Sequence, residues 1–297
     1  MRSVYATGCL FLSMVGAVQA QVAVPKINTS SRDLASSNPS AIVWGAPTSV
    51  SASFAEGTSS SYDSTTKLHG PGTVVKDRYY GFRWVPDKSP WAFAADTNYG
   101  AIYNDRRRGD LAFRLNPRLG VGVGVTTNWY KNNPTFGSPS VNRTEADLGL
   151  SLNLGEFLYL GYVGGRETRE IRNQPNGYRD FARYGIAVRG VSDKTMLYHF
   201  EYNTDVYLPD KVVLHNNPKE TRSQAVAEMV FFNVLFGWER QVFYSTPHTE
   251  AETYTLGYSP REGLSFSGFT MMARASTTVA TVYTDYRLNG VALALAF

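Results

Sequence analysis

Two neighbouring segments carry the residues best placed for chemistry. In 195–208, Leu197, His199, Glu201, Asn203 and Asp205 alternate with Met196, Tyr198, Phe200, Tyr202, Val206 and Leu208. In 179–191, Arg183, Gly185, Ala187 and Arg189 alternate with Tyr184, Ile186 and Val188. A period of two is that of a strand, so each segment has one polar and one apolar face. A tight turn near Ser192–Asp193 would put Arg183 roughly opposite Asn203 and diagonal to Glu201 and Asp205. Arg189, nearer the turn, faces Lys194 or solvent. Buried charges must be paired or wet, so a water-lined Arg/Glu/Asp ladder is the expected arrangement. A gate acting on a passing substrate is the sharper reading. His199 reads as a solvated member of that face rather than as a base.

Catalytic constellations are weak elsewhere. Hydrolysis at a membrane rim needs a histidine beside a serine or carboxylate. The nearest cluster is Ser245-Thr-Pro-His248-Thr-Glu250, and it matches no hydrolase motif. His69, His199, His215 and His248 are scattered without metal-ligand spacing. No metal, cofactor or enzyme activity is expected. The one cysteine, Cys9, lies in the apolar N-terminal stretch, which leaves no thiolate site beyond it. Asn104-Asp-Arg-Arg-Arg-Gly-Asp110 reads as a basic loop whose arginines could meet lipopolysaccharide phosphates. The net charge of +4 is too mild to signal nucleic acid.

The elements that must position these residues are strands. Short turns stand at Val85-Pro-Asp-Lys-Ser-Pro90, Leu115-Asn-Pro-Arg-Leu-Gly120, Leu154-Gly-Glu-Phe157, Val191-Ser-Asp-Lys-Thr195, Ser259-Pro-Arg-Glu-Gly263 and Leu288-Asn-Gly290, with a weaker one near Asn233. Mostly longer polar connections at 56–72, 100–108, 131–142, 166–178, 209–220 and 246–250 alternate with them. The connection at 274–276 is short. Between these lie candidate strands at 41–55, 73–85, 90–99, 109–116, 119–130, 143–153, 156–165, 179–191, 195–208, 221–232, 234–246, 251–259, 263–274, 277–287 and 290–297. At about 3.3 Å per residue and a tilt near 45°, such strands cross an apolar band of about 25 Å. No amphipathic helix is expected, and no run is long enough for a membrane-spanning helix.

Composition names the solvent. Aromatic residues make up 13%, with 19 Tyr, 16 Phe and 5 Trp. Charged residues make up 18%, below the usual level of about 25% for soluble domains. The mean hydropathy is slightly negative, as it is for a barrel whose strands are only half apolar. The chain ends Gly290-Val-Ala-Leu-Ala-Leu-Ala-Phe297, an alternating strand closed by an aromatic residue. That is how outer-membrane barrels end, and it makes Phe297 the candidate signal for the barrel assembly machinery. Two features clash with this. Fifteen candidate strands is an odd number, whereas single-chain bacterial barrels have an even one. A turn at Leu288–Gly290 would also send Phe297 the wrong way. The expected error is at 41–55.

Residues 1–20 read as a signal peptide, with an apolar run ending in Val18-Gln19-Ala20. Beyond it, Ser31-Arg-Asp-Leu-Ala-Ser-Ser-Asn38-Pro39-Ser40 leads into Ala41-Ile-Val-Trp44 and then Pro47-Thr-Ser-Val-Ser-Ala-Ser-Phe54. This stretch of about 25 residues resembles the Asn-Pro-Ala segment of the FadL-type long-chain fatty-acid outer-membrane transporters. Ser40 stands where that family has alanine, and the region 21–37 is short for a hatch. The resemblance implies a barrel of about 14 strands plugged by its own N-terminus. It makes Asn38, Pro39 and Trp44 the candidates for a hatch and substrate path, and it implies no cofactor.

The sequence therefore predicts an all-β protein, an antiparallel transmembrane β-barrel of about 14 strands with a short N-terminal hatch. The divisions are 1–20 signal peptide, 21–40 hatch or periplasmic segment, and 41–297 barrel. The expected place is the bacterial outer membrane, with its lipid as partner. The expected function is passive uptake of small hydrophobic molecules such as fatty acids. The alternatives are a non-selective aqueous porin, a structural barrel, or a secreted soluble β-protein. Substrate and oligomeric state are not legible.

Overall fold

Alternation sets which way each strand faces. In Asp147-Leu-Gly-Leu-Ser-Leu-Asn-Leu154, the leucines point outward and Asp147, Gly149, Ser151 and Asn153 point inward. The computed structural model describes residues 38–44, 48–86, 89–100, 105–130, 141–155, 157–171, 176–193, 196–209, 220–244, 248–258, 263–276 and 282–296. They form β1 (Ser49–Asp63), β2 (Thr73–Trp84), β3 (Trp91–Gly100), β4 (Asp105–Asn116), β5 (Leu119–Tyr130), β6 (Val141–Leu154) and β7 (Leu158–Ile171). These continue as β8 (Gly177–Asp193), β9 (Met196–Tyr207), β10 (Glu220–Phe231), β11 (Val234–Tyr244), β12 (Thr249–Tyr258), β13 (Gly263–Ser276) and β14 (Val282–Ala296). Each strand pairs antiparallel with the next, and β14 pairs with β1 to close the barrel. Leu68–His69 adds a two-residue rung on the end of β1.

The outward face is a belt of large apolar side chains. Leu148, Phe200 and Leu256 are each more than half exposed, at 58, 52 and 59%. A soluble protein would bury such a surface, whereas lipid solvates it. Aromatic residues gather at the short-turn rim, where Trp84 and Trp91 meet edge to face at 4.6 Å across the β2–β3 turn. The other short turns use local chemistry. Phe232 and Asn233 both take positive φ, 48° and 65°, as a two-residue type I′ hairpin requires. Asn116 Oδ1 accepts from the backbone N–H groups of Arg118 and Leu119 at 2.8 and 2.9 Å.

The structure corrects the sequence reading in three places. Residues 41–55 are not one strand: Pro39–Trp44 is a 3₁₀-helix, and the wall begins at Ser49. Leu288-Asn-Gly290 is not a turn but the middle of β14. A Cβ on Gly290 would lie 2.2 Å from Phe269 Cζ and 2.6 Å from the Phe54 carbonyl oxygen, so glycine is there for close approach. Joining the two candidate strands around it gives fourteen wall strands, and it brings Ala296 beside Ser49 at the short-turn end. Lastly, β1, β4 and β7 run further into the predicted loops than expected, to Asp63, back to Asp105 and to Ile171. Above the apolar belt both faces of a strand are polar, and the alternation that reveals a strand disappears. Residues 1–20, expected to be a signal peptide, residues 21–37 and Phe297 lie outside the described residues.

Candidate functional site

The bore is where inward-facing side chains meet the N-terminal segment. Asn38 caps the 3₁₀-helix. Its Oδ1 accepts from Ser40 N at 3.0 Å and Ser40 Oγ at 2.7 Å, and its carbonyl accepts from Ala41 N at 3.0 Å. Pro39 follows at the first helical position, where its missing N–H costs nothing. Ser40 thus contributes a hydroxyl donor to the cap.

This helix is held against the inner wall. Asn38 Nδ2 donates to the Leu150 carbonyl at 2.8 Å, and Trp44 Nε1 donates to Ser151 Oγ at 2.8 Å. Ile42 and Val43 pack on Ala92 and Ala112, and Ala41 packs on Tyr159 and Ala187. The cradle is glycine. A Cβ on Gly122 would lie 2.6 Å from Pro39 C and Ser40 N, and one on Gly149 would lie 2.2 Å from Asn38 Oδ1. The run Gly120-Val-Gly-Val-Gly-Val125 therefore turns its valines to lipid and Gly120 and Gly122 to the plug, while Gly124 faces Asp147 and Arg108. Its strict Gly/Val alternation is a legible signal that the sequence reading passed over.

Arg183 is the centre of a charge network, as its strand face suggested, but its partners differ from those expected. The β8–β9 register sets it opposite Asp205, with Asn203 opposite Gly185 and Glu201 opposite Ala187. The register is displaced by two residues from the expected one. Arg183 Nε lies 3.6 Å from Asp205 Oδ2. Its stronger bonds go to Asp147 Oδ2, at 3.0 Å, and to Glu145 Oε2. Asp147 also takes Arg108 at 3.2 Å, and Arg108 donates to Asp110 at 2.8 Å and Thr126 at 3.0 Å.

Further along the bore, Arg179 bonds Glu167 at 3.0 Å and Glu220 at 2.9 Å. Arg179 and Arg222 lie over the Tyr207 ring, 4.3 and 4.5 Å from its centroid. This network links β4 to β10 across the interior, and most of its members are buried. Pairing of this kind satisfies charge in place and leaves few of these groups available as acid or base.

His199, Glu201 and Asn203 form a second ladder. His199 Nε2 lies 3.0 Å from Glu201 Oε2, and Asn203 Nδ2 donates to Glu201 Oε1. Gln224 Nε2 donates to Glu239 Oε1 at 2.6 Å, and Gln241 donates to the same oxygen. The backbone of Arg189 is opposite His199.

The basic stretch 104–110 is corrected too. It is not an outward loop, because Asp105 opens β4 and alternation turns Arg106 and Arg108 inward. Arg106 bonds Asp96 at 3.0 Å. Arg107 alone of the three faces out, 5.1 Å from the Trp129 ring centroid. In the His248 cluster, His248 lies 3.1 Å from exposed Glu250, while Ser245 is outside the described residues.

The inner face of β13, β14, β1 and β2 has a different character. Ala55, Val75, Phe269, Met271, Leu288 and Ala292 form one buried apolar cluster there. Asp77 borders it, 3% exposed, and neither carboxylate oxygen has a hydrogen-bond partner. The sequence reading singled out none of these residues, since an acid in a strand of alternating polarity carries no special signal. The bore therefore has a charged arc, a plug and an apolar arc.

Solved structures share this architecture. A deletion mutant of the monoaromatic hydrocarbon channel TodX matches with a TM-score of 0.57 at 8% identity, over 88% of this chain and 93% of that one. The chain shares the barrel fold of FadL-type channels. A FadL homologue from Pseudomonas aeruginosa matches at 0.53 with 10% identity, over 95 and 96% of the two chains. The toluene transporter TbuX of Ralstonia pickettii matches at 0.51 with 10% identity, over 96 and 98%. No family model and no curated protein matches the sequence. In this barrel, the Asn38-Pro39 segment lies in the bore.

Proposed function

We propose that the protein is an outer-membrane channel for passive uptake of small hydrophobic molecules such as fatty acids or aromatic hydrocarbons. The observation that carries this is the plug Asn38–Trp44, seated in the bore of a lipid-belted barrel that also has an apolar inner arc. A segment across the bore obstructs free water and ion flow, whereas an apolar surface inside a membrane barrel offers a place for a hydrophobic solute. The matched channels are named for hydrocarbons and toluene, which supports the same class of solute.

The reading includes a signal peptide at 1–20, a hatch continuing through 21–37, and Phe297 as the assembly signal. It puts the short turns in the periplasm and the longer connections outside the cell. It assigns no catalytic step: the ion-paired side chains of the bore hold the barrel and its plug in register. Outer-membrane lipid is the partner of the belt. Of the three arginines at 106–108, Arg107 alone faces outward to meet lipopolysaccharide phosphate.

Initial uptake of labelled toluene and oleate by intact cells, with and without the protein, tests this. Several-fold faster entry of either is the expected result. Equal entry, together with large ion conductance in planar bilayers, would favour the porin reading.

A further inference from the structure

The apolar arc is built in rows around four strands. Asp77 pairs across β2–β1 with Ala55, Ala55 pairs with Gly290 of β14, and Gly290 pairs with Phe269 of β13. The next row is Val75, Gly57, Leu288 and Met271. All eight face the bore. The two glycines remove side chains from the middle of both rows. The Phe269 ring uses that space, because its Cζ and Cε2 come within 2.2 and 2.6 Å of where a Gly290 Cβ would stand. The ring therefore leans along its row, over Gly290, towards Ala55 and Asp77.

A carboxyl group at the end of such a row is unusual. Asp77 is 3% exposed, and neither of its oxygens accepts a hydrogen bond within bonding geometry. Asn98 is its near polar neighbour. An unmet acceptor in an apolar setting costs free energy that a core residue of similar size would not. By contrast, the acids Glu145, Asp147, Glu167 and Glu201 of the same bore are all bonded to side-chain donors. The donors near Asp77, Asn98 and the Arg78 N–H, stand outside hydrogen-bond geometry, and an aromatic ring and aliphatic side chains lie beside it.

We propose that this row is a binding site for a small hydrophobic molecule that carries one hydrogen-bond donor, a phenol or an alcohol. The apolar body rests on Phe269, Met271, Leu288 and Val75, and the O–H donates to Asp77. A bare hydrocarbon leaves the carboxyl group unmet. A carboxylate anion brings a charge into the apolar row and fits worse. The inference rests on the uptake reading above and narrows its solute class from any hydrophobic molecule to protic, uncharged ones.

Phenol and toluene test it, since they differ by a hydroxyl in place of a methyl group. Binding of each labelled compound to the folded full-length barrel in amphipol is compared for wild type, Asp77→Leu and Asp77→Asn. Taking each variant's ratio of phenol to toluene affinity relative to wild type cancels the difference in how water solvates the two. The ratio should fall roughly three- to tenfold in Asp77→Leu, the range set by one hydrogen bond. It should fall less in Asp77→Asn, which keeps an acceptor. If Asp77→Leu fails to give a heat-modifiable barrel, the nearly isosteric Asp77→Asn decides. A ratio unchanged in the folded variants overturns the site, as does benzoate binding to wild type as tightly as phenol. Failure of the uptake reading looks different: neither solute enters cells faster, whatever the ratio.

Discussion

Arg183 reaches Asp147 at 3.0 Å although the whole of β7 runs between the strands that carry them. The reach is possible because of what faces Asp147 on either side. Its register partners are Gly124 on β5 and Gly165 on β7. A Cβ on Gly124 would lie 2.4 Å from Asp147 Oδ1 and 2.7 Å from Arg108 Nη2. Gly124 thus leaves room for Arg108 beside Asp147, while the Phe181 ring lies over Gly165 and Arg183 stacks on that ring, 4.2 Å from its centroid, to reach the same carboxylate.

Arg183→Met should be strongly destabilising. It leaves Glu145, Asp147 and Asp205 close together, with Arg108 as the remaining direct partner of Asp147. Breaking a buried pair from one side costs about 3–5 kcal/mol. Denaturant unfolding of the detergent-solubilised barrel measures it, and a change under about 1 kcal/mol would show that water already compensates these charges.

Gly122→Val should dislodge the plug. Even its Cβ has no room against Pro39 and Ser40, whose backbone atoms lie within 2.6 Å. We expect single-channel conductance to rise while the barrel stays heat-modifiable. Gly109→Ala is the control, because a Cβ there meets nothing within 4 Å. Equal conductance in the two variants would mean that the segment does not limit flow.

Trp44→Phe removes one donor and keeps the ring's bulk. The bond lost is Nε1 to Ser151 Oγ, worth about 1 kcal/mol. Protease cleavage near the N-terminus should become several-fold faster. Ser151→Ala should match it, and a double variant no worse than either single one would assign the effect to this bond.

Asp63, at the long-loop end outside the apolar belt, gives a pH dependence. The Thr65 backbone N–H donates to its Oδ1 at 2.8 Å and holds its carboxyl below the usual carboxylate range. A lowered folded pKa stabilises the turn above the ordinary value near 3.8 and loses that stability as pH falls through the folded value. Once the intrinsic acid dependence is divided out, protection of the Thr65 amide from exchange should drop below pH 4. Asp63→Asn should flatten the dependence.

The fold was largely legible because lipid imposes a strict rule on one face of every strand. Met196 to Leu208 and Leu148 to Leu154 announce themselves by period alone. What failed was glycine. Gly290 after Leu288-Asn289 has the composition of a turn, and only Phe269 on the adjacent strand explains it. Residues such as Arg106 and Arg108 were misplaced because above the belt both faces of β4 are polar. The site was half legible. Asn38-Pro39 was visible through its resemblance to a hatch segment, though not as the cap of a helix, and Arg183 as an inward charge. Their partners come from strands far off in sequence, and no local pattern encodes a pairing of Arg183 with Asp147 or an acid without one at Asp77.

The closing seam fixes an order of assembly. β1 and β14 are joined residue by residue from Ser49–Ala296 to Asp63–Val282. The seam is thus made from the first and last wall segments of the chain, and it forms only when all of it is present. The plug precedes β1 and lies inside the finished ring. Once the seam pairs, the wall has no side entrance, and the ends of the ring are the way by which the segment could still pass in or out.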